Sequence, residues 1–157
     1  MSGPAPTIAP ELASFIEGGI AIVVATCDAD MRPQITRAWG AAVSDDGSAL
    51  TLGVTAAEGS RALDNLRANG AIAVTFCSPT TYRTVQAKGV VTDLREPGER
   101  DLARRDEHIE DFLDQSEQVG IEREVGRRIT RGEVVAVTVA VRELYQQTPG
   151  PGAGTPL

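Results

Sequence analysis

Ile20-Ala-Ile-Val-Val-Ala-Thr-Cys27, Gln34-Ile-Thr-Arg-Ala-Trp-Gly-Ala-Ala-Val43 and Ala49-Leu-Thr-Leu-Gly-Val54 are three runs rich in β-branched and apolar residues. Asp28–Pro33 separates the first two, and Ser44-Asp-Asp-Gly47 separates the last two. Short continuous runs bounded by turn residues predict strands. Connections this tight make the neighbouring strands antiparallel. The first run is apolar on both faces, so a single flat sheet would leave one apolar face wet. A closed or half-closed barrel covered by helices satisfies the pattern better.

Working outward, Thr7–Glu17 reads as a short helix. Pro10 and Glu11 suit its first turn, Leu12, Phe15 and Ile16 share a face, and Gly18-Gly19 stops it. Thr55–Gly59 is a loop, and Ser60–Ala68 is helical up to the stop at Asn69-Gly70. Ala71–Cys77 and Arg83–Leu94 are two further strands. Pro97–Gln118 is a charged helix whose apolar stripe is Leu102, Ile109, Phe112 and Leu113. A second helix, Ile121–Ile129, precedes a last strand, Val134–Leu144. The expected fold is mainly β with flanking helices. Residues 1–145 form one domain, with 95–131 as a helical cover, and 146–157 form a Pro/Gly-rich tail. Some apolar strand surface is expected to remain for a partner subunit.

The chain has 157 residues, 41% hydrophobic and 24% charged, which fits one soluble globular domain. No apolar run reaches the roughly 18 residues needed to cross a bilayer, so no membrane partner is expected. Met1–Pro10 has neither a basic start nor an apolar core, and the cytoplasm is the expected compartment. A net charge of −7 argues against a nucleic-acid partner, which needs a basic footprint. A local cluster of arginines could still hold a small anion. Cys27 and Cys77 are expected to be small buried thiols. Two cysteines and one histidine do not complete a zinc site, so no metal is expected. His108 lies among charged residues and is expected to be solvated.

Three features could carry chemistry. Strand alternation puts Arg37 on one face with Ile35, Trp39, Ala41 and Val43. A buried guanidinium needs an anion, either an internal carboxylate such as Asp64 or Glu58, or a ligand. Trp39 either lines a pocket or packs in the core. Next, Thr55-Ala-Ala-Glu-Gly-Ser-Arg61 joins a strand to a helix start. Its backbone N–H groups, the Ser60 hydroxyl and the Arg61 fork suit phosphate oxygens; the plain alternative is an ordinary helix start with Arg61 in solvent. Last, Thr84, Gln86 and Lys88 share one face of the fifth strand. They offer an amide and a cation to a ring edge or a phosphate, or simply face water.

The order of these elements resembles the pyridoxamine 5'-phosphate oxidase-like, FMN-binding split-barrel family, over roughly Pro10–Leu94 and the last strand. The tail Gln147-Thr-Pro-Gly-Pro151 resembles the end of a bacterial subgroup of undefined substrate. The resemblance implies a six-stranded antiparallel split β-barrel. It also implies a homodimer with two FMN sites at the subunit interface. By position, Arg37, Ser60 and Arg61 would hold the FMN phosphate. Val54 and Thr55 would lie along the isoalloxazine ring, and Gln86 would approach the flavin from the partner chain.

The implied activity is that of a flavin (FMN)-dependent oxidoreductase, with hydride transfer at flavin N5 and a small-molecule substrate. No catalytic side chain is assigned. A deazaflavin could replace FMN in the same fold. The family pattern at the phosphate turn is Ser-Arg-Lys, whereas Ala62 stands in the lysine position here. That motivates the alternative of a non-catalytic flavin- or deazaflavin-binding module. The residues that clamp pyridoxine phosphate are not evident, so a different substrate is expected. The position of His108 disfavours the haem-binding branch. The tail is expected to be disordered, or else to lie over the partner subunit near the cofactor.

Overall fold

Burial alternates residue by residue in β1 (Ala21–Cys27): Ile22, Val24 and Thr26 are buried, and the residues between them are half-buried. A strand of that kind has one face in a core and the other on an exterior only partly covered. A computed structural model describes residues 5–157; the first four residues of the Met1–Pro10 stretch, expected not to be a secretory signal, lie outside the described residues. The other strands are β2 (Pro33–Val43), β3 (Ala49–Thr55), β4 (Ala71–Cys77), β5 (Thr84–Arg95) and β6 (Val134–Gln146). They close a barrel in the order β1-β2-β3-β6-β5-β4, with every neighbouring pair antiparallel. The six-stranded antiparallel barrel is the expected fold.

Inside, Ile22, Val24, Leu50, Leu52, Val54, Val74, Phe76, Val137 and Val139 are all but inaccessible to water. Helix α1 (Pro10–Ile16) adds Ile16, and α2 (Ala62–Asn69) adds Leu66. The Ser44–Ser48 hairpin is tied by Asp46, which accepts from both serine hydroxyls at 2.7 Å and from the Ser48 amide at 3.0 Å. Those bonds hold its carboxyl down at about 2. Among the described residues no helix is long and apolar enough to cross a membrane.

The helical cover is α3 (Glu99–Gln118) and α4 (Arg123–Ile129). Helix α3 lies on β2, where one extra residue between Trp39 and Ala42 makes a bulge. Gly40 sits in that bulge at φ +65°, and a Cβ there would lie 2.7 Å from the Arg105 amide nitrogen. A Cβ on Gly19 would lie 2.4 Å from Asp111 Cβ. The two glycines let the α3 backbone come close to the barrel.

His108 locks this contact. Its Nδ1 accepts the Gly40 N–H at 2.7 Å, so Nε2 carries the proton and donates to the Ile20 carbonyl at 2.8 Å. Arg104 Nε donates to the Gly40 carbonyl at 3.1 Å. His108 is only 3% exposed, which corrects the expectation of a solvated side chain. Its place four residues before Phe112 puts it on the apolar stripe, whatever the charge of its neighbours in sequence. Trp39 packs edge-on against Phe112 and His108, with ring centroids 5.3 and 5.8 Å away, so it is core between sheet and helix. Helix α4 is clipped to α3 by Arg123, which meets Glu110, Asp114 and Glu117.

The tail folds back on its own chain, which corrects the expectation of disorder. Strand β6 runs beyond its last β3 partner, at Ala140, and leaves a free edge. The chain turns back to fill it: the Gln146 amide donates to Thr155 O at 2.9 Å, and the Leu157 amide to Leu144 O at 3.0 Å. Thr148 and Gln147 also bond the backbone of Thr84, at 2.9 and 2.8 Å. Proline and glycine serve here as turn residues.

Burial depresses the pKa of folded His108 below its ordinary 6.5, outweighing the Ile20 carbonyl and Asp111, which favour the cation. The unfolded chain therefore takes up this proton first. Stability is complete above about pH 6.5 and falls as the pH drops below it. Urea midpoints measured from about pH 7 down to 5.5 should decrease for the native chain. They should stay level in His108→Gln; an unchanged slope in that variant would refute the assignment.

Candidate functional site

Beyond Ala38–Val54, the last pair of the β2–β3 ladder at this end, the next residues along the strands are Arg37 and Thr55. Both line a cleft of about 390 Å³ on the barrel exterior, within the range of small-molecule sites. Val23, paired with Arg37, forms one wall, with Ile35, Ile129 and Ala57. Thr36 Oγ1 donates to the Thr55 carbonyl at 3.1 Å and fixes the end of β3. The Thr55 hydroxyl is buried and has no hydrogen-bond partner among the described residues. Leaving such a group unpaired costs roughly 1–3 kcal/mol. The Trp39 indole N–H is also unpaired, but Trp39 lines no part of the cleft.

Arg37 is not buried as expected. Alternation along β2 holds, but the face it shares with Ile35 is the outer one: Ile35 is 71% exposed and Arg37 is exposed too. Trp39 is on that face as well and is buried only because α3 covers it. Nor is there an internal ion pair. Among the described residues no carboxylate lies within 4.0 Å of Arg37, and Asp64 instead meets Arg67 at 3.3 Å.

Arg131, in the turn between α4 and β6, lines the same cleft and also lacks a carboxylate partner among the described residues. Eight of the fourteen arginines are so paired. In a chain of net charge −7 with 22 acidic residues, two unpaired guanidiniums in one cleft form a local reversal of charge. The sequence reading passed over Arg131, Ile129 and Val23. Nothing local marks Arg131, because its role comes from the loop that carries it.

The other expected site residues are spread around this cleft. The Val54 side chain is fully buried inside the barrel, so only its backbone can meet a ligand. Ser60 and Arg61 follow the loop that supplies Ala57 but do not line the cleft. The Ser60 amide donates to Ala57 O at 3.0 Å, and Ser60 Oγ accepts the Ala62 amide at 3.2 Å. Arg61 is exposed at the N-terminus of α2, with no carboxylate within 4.0 Å among the described residues. Gln86 lies in the outer row Arg37–Val23–Thr75–Gln86, three strands from Arg37. That is about 14 Å at ordinary strand spacing. Its Nε2 donates to Thr75 Oγ1 at 3.0 Å.

Thr84 and Lys88 share the outer face with Gln86, and the Lys88 ammonium sits 4.8 Å from the Tyr145 ring centroid. Cys27 and Cys77 are half-exposed on that outer face, not buried as expected, because odd positions of β1 and their β4 counterparts point outward. Among the described residues no group of three or more His, Cys, Asp or Glu side chains converges on a metal-sized site.

Comparison with known proteins agrees with this architecture. The sequence pattern of the family described as pyridoxamine 5'-phosphate oxidase matches residues 8–146. No curated protein matches the sequence. Among solved structures, HupZ of Group A Streptococcus has a TM-score of 0.56 at 17% identity, over 94% of this chain and 98% of its own. An F420 reductase has a TM-score of 0.53 at 21% identity, over 83% and 93%. A Lactobacillus delbrueckii protein, named provisionally as a pyridoxamine 5'-phosphate oxidase, has 0.54 at 15%, over 88% and 93%. At such identities the likeness is one of fold. Matched in sequence along most of its length and in barrel architecture throughout, the chain belongs to the pyridoxamine 5'-phosphate oxidase family, whose members generally bind flavin.

Proposed function

We propose that the cleft between β2, β3 and the α4–β6 turn receives FMN, and that the protein is an FMN-dependent oxidoreductase acting on a small molecule. One observation carries this reading: Arg37 and Arg131, which lack carboxylate partners among the described residues, line one cleft together with Thr55, whose buried hydroxyl is unpartnered. A phosphorylated ring with polar edges would satisfy both. Arg37 takes the phosphoryl oxygens through its forked donors. Ser60 and Arg61 join from the rim of the following loop. The Thr55 hydroxyl and the Val54 backbone meet the ring edge, and Val23, Ile35 and Ile129 keep water from its face. Bound flavin supplies hydride transfer at N5.

The reading includes a homodimer. The cleft is open, Ile35 is 71% exposed, and half-exposed Val23, Ala25 and Ala73 continue its apolar wall. A second copy on that wall would close the site. It would also explain Gln86, which its own chain holds too far from Arg37 to share a ligand contact. A cytoplasmic location accompanies this reading.

The cleft lining also favours a second reading, a flavin- or deazaflavin-binding module without turnover. Among the described residues no Asp, Glu, His, Tyr or Cys lines the cleft, so any turnover would rest on the flavin and its substrate. The fold likeness to an F420 reductase keeps deazaflavin as the alternative cofactor. Reduction by NAD(P)H or by a reduced deazaflavin, followed by consumption of oxygen or quinone, separates enzyme from binder.

The purified protein should show flavin absorbance once loaded with FMN, and Arg37→Ala should weaken FMN binding about tenfold or more. A colourless protein that takes up neither FMN nor deazaflavin would end the proposal. Thr55→Val tests the hydroxyl separately. Losing an unpaired buried group should leave the melting temperature of the ligand-free protein unchanged or raised, while FMN affinity falls by roughly three- to tenfold. A variant that loses stability and keeps its affinity would show that the hydroxyl serves the fold.

A further inference from the structure

We propose that Arg131 is a further cation of the phosphoryl site, beside Arg37 and Arg61, and stands in for the lysine missing at position 62; the inference rests on the flavin reading above. Ala62 is completely buried at the start of α2. A lysine there would have to carry its ammonium through packed atoms to reach any ligand. The α2 end of the site therefore offers Arg61 alone, whereas a phosphoryl dianion is best met by more than one forked donor.

The α4–β6 turn supplies another. Helix α4 ends at Ile129, which itself lines the cleft, and the Thr130 hydroxyl closes that end by donating to Arg127 O at 3.1 Å. On the far side, Gly132 turns the chain at φ +117°, and a Cβ there would lie 3.2 Å from Thr55 Cγ2. The Ala56 amide donates to Glu133 O at 2.9 Å. The backbone that follows Arg131 is thus held against the end of β3, beside Thr55. Charge accounting in this short segment agrees. Arg127 meets Glu110 at 3.2 Å and Arg128 meets Glu124 at 3.6 Å, while Arg131 faces the cleft with Arg37.

The test compares ligands that differ only in the phosphoryl group. Dissociation constants of FMN and riboflavin, read from flavin fluorescence, would be measured for the native chain, Arg131→Ala, Arg131→Lys and Arg37→Ala. Circular dichroism and thermal melts would establish that each variant is folded. A phosphorylated deazaflavin and its unphosphorylated core form a parallel arm. Arg131→Ala should lose about tenfold or more in affinity for the phosphorylated ligand and almost nothing for the other, with Arg131→Lys intermediate. The same selective loss confined to the deazaflavin arm supports the assignment with a different ring. Equal loss of both ligands would mean that Arg131 shapes the cleft and does not meet the phosphoryl group, which overturns the inference. An unaffected Arg131→Ala beside a weakened Arg37→Ala overturns it too, and leaves the flavin reading standing. A native chain that binds none of the four ligands removes the flavin reading and this inference with it.

Discussion

In β2 one extra residue between Trp39 and Ala42 turns the Gly40 amide and carbonyl out of the ladder and toward α3, where His108 and Arg104 receive them. Backbone polar groups removed from a sheet and shielded from water must find partners. Here both do so on one helix. That requirement fixes where α3 lies, and the helix then divides the outer face of β2 in two. Trp39 falls beneath α3 and becomes core, while Arg37, two residues earlier on the same face, stays open. The neutral ring of His108 is part of this division. It must accept at Nδ1 and donate at Nε2, a pattern that only one tautomer offers.

On the open side, the cleft gathers polar groups without partners among the described residues. A chain with an excess of carboxylates has partners to spare for its guanidiniums, and eight of the fourteen have one. Arg37 and Arg131 are held apart from that pairing by the strand that carries one and the turn that carries the other. The Thr55 hydroxyl is unpaired for a similar reason: the β2–β3 ladder has stopped, and Thr36 bonds the Thr55 carbonyl and not its side chain. Each feature alone is modest. Their meeting in one cleft is the observation on which the proposed flavin site rests.

Much of the fold was legible because it rests on local rules. Continuous β-branched runs and turn residues located all six strands, and Ala71–Cys77 matches β4 at both ends. The apolar stripe of α3 marked the face that packs on the barrel. What the sequence could not supply was the direction of each strand face. Alternation places Ile35, Arg37 and Trp39 together but does not say which side of the sheet is inside, and Arg37 was read as buried for that reason. Cys27 and Cys77 were misplaced by the same ambiguity. His108 was misjudged by its charged neighbours when its helical spacing to Phe112 held the better signal. Arg131 was invisible because its place in the cleft depends on contacts between residues far apart in sequence, such as Ala56 with Glu133. At the site, Arg37 and Thr55 were found together, whereas Ser60, Arg61 and Gln86 lie around the cleft and not in it.

The returning tail covers part of a strand edge. The final stretch of β6, past Ala140, would otherwise present bare amides and carbonyls, a template on which another chain could add a strand. Residues 154–157 satisfy part of that edge with the molecule's own backbone. The short Pro/Gly segment therefore acts as a guard against edge-to-edge aggregation, and trimming it would expose a sticky border on a barrel otherwise closed.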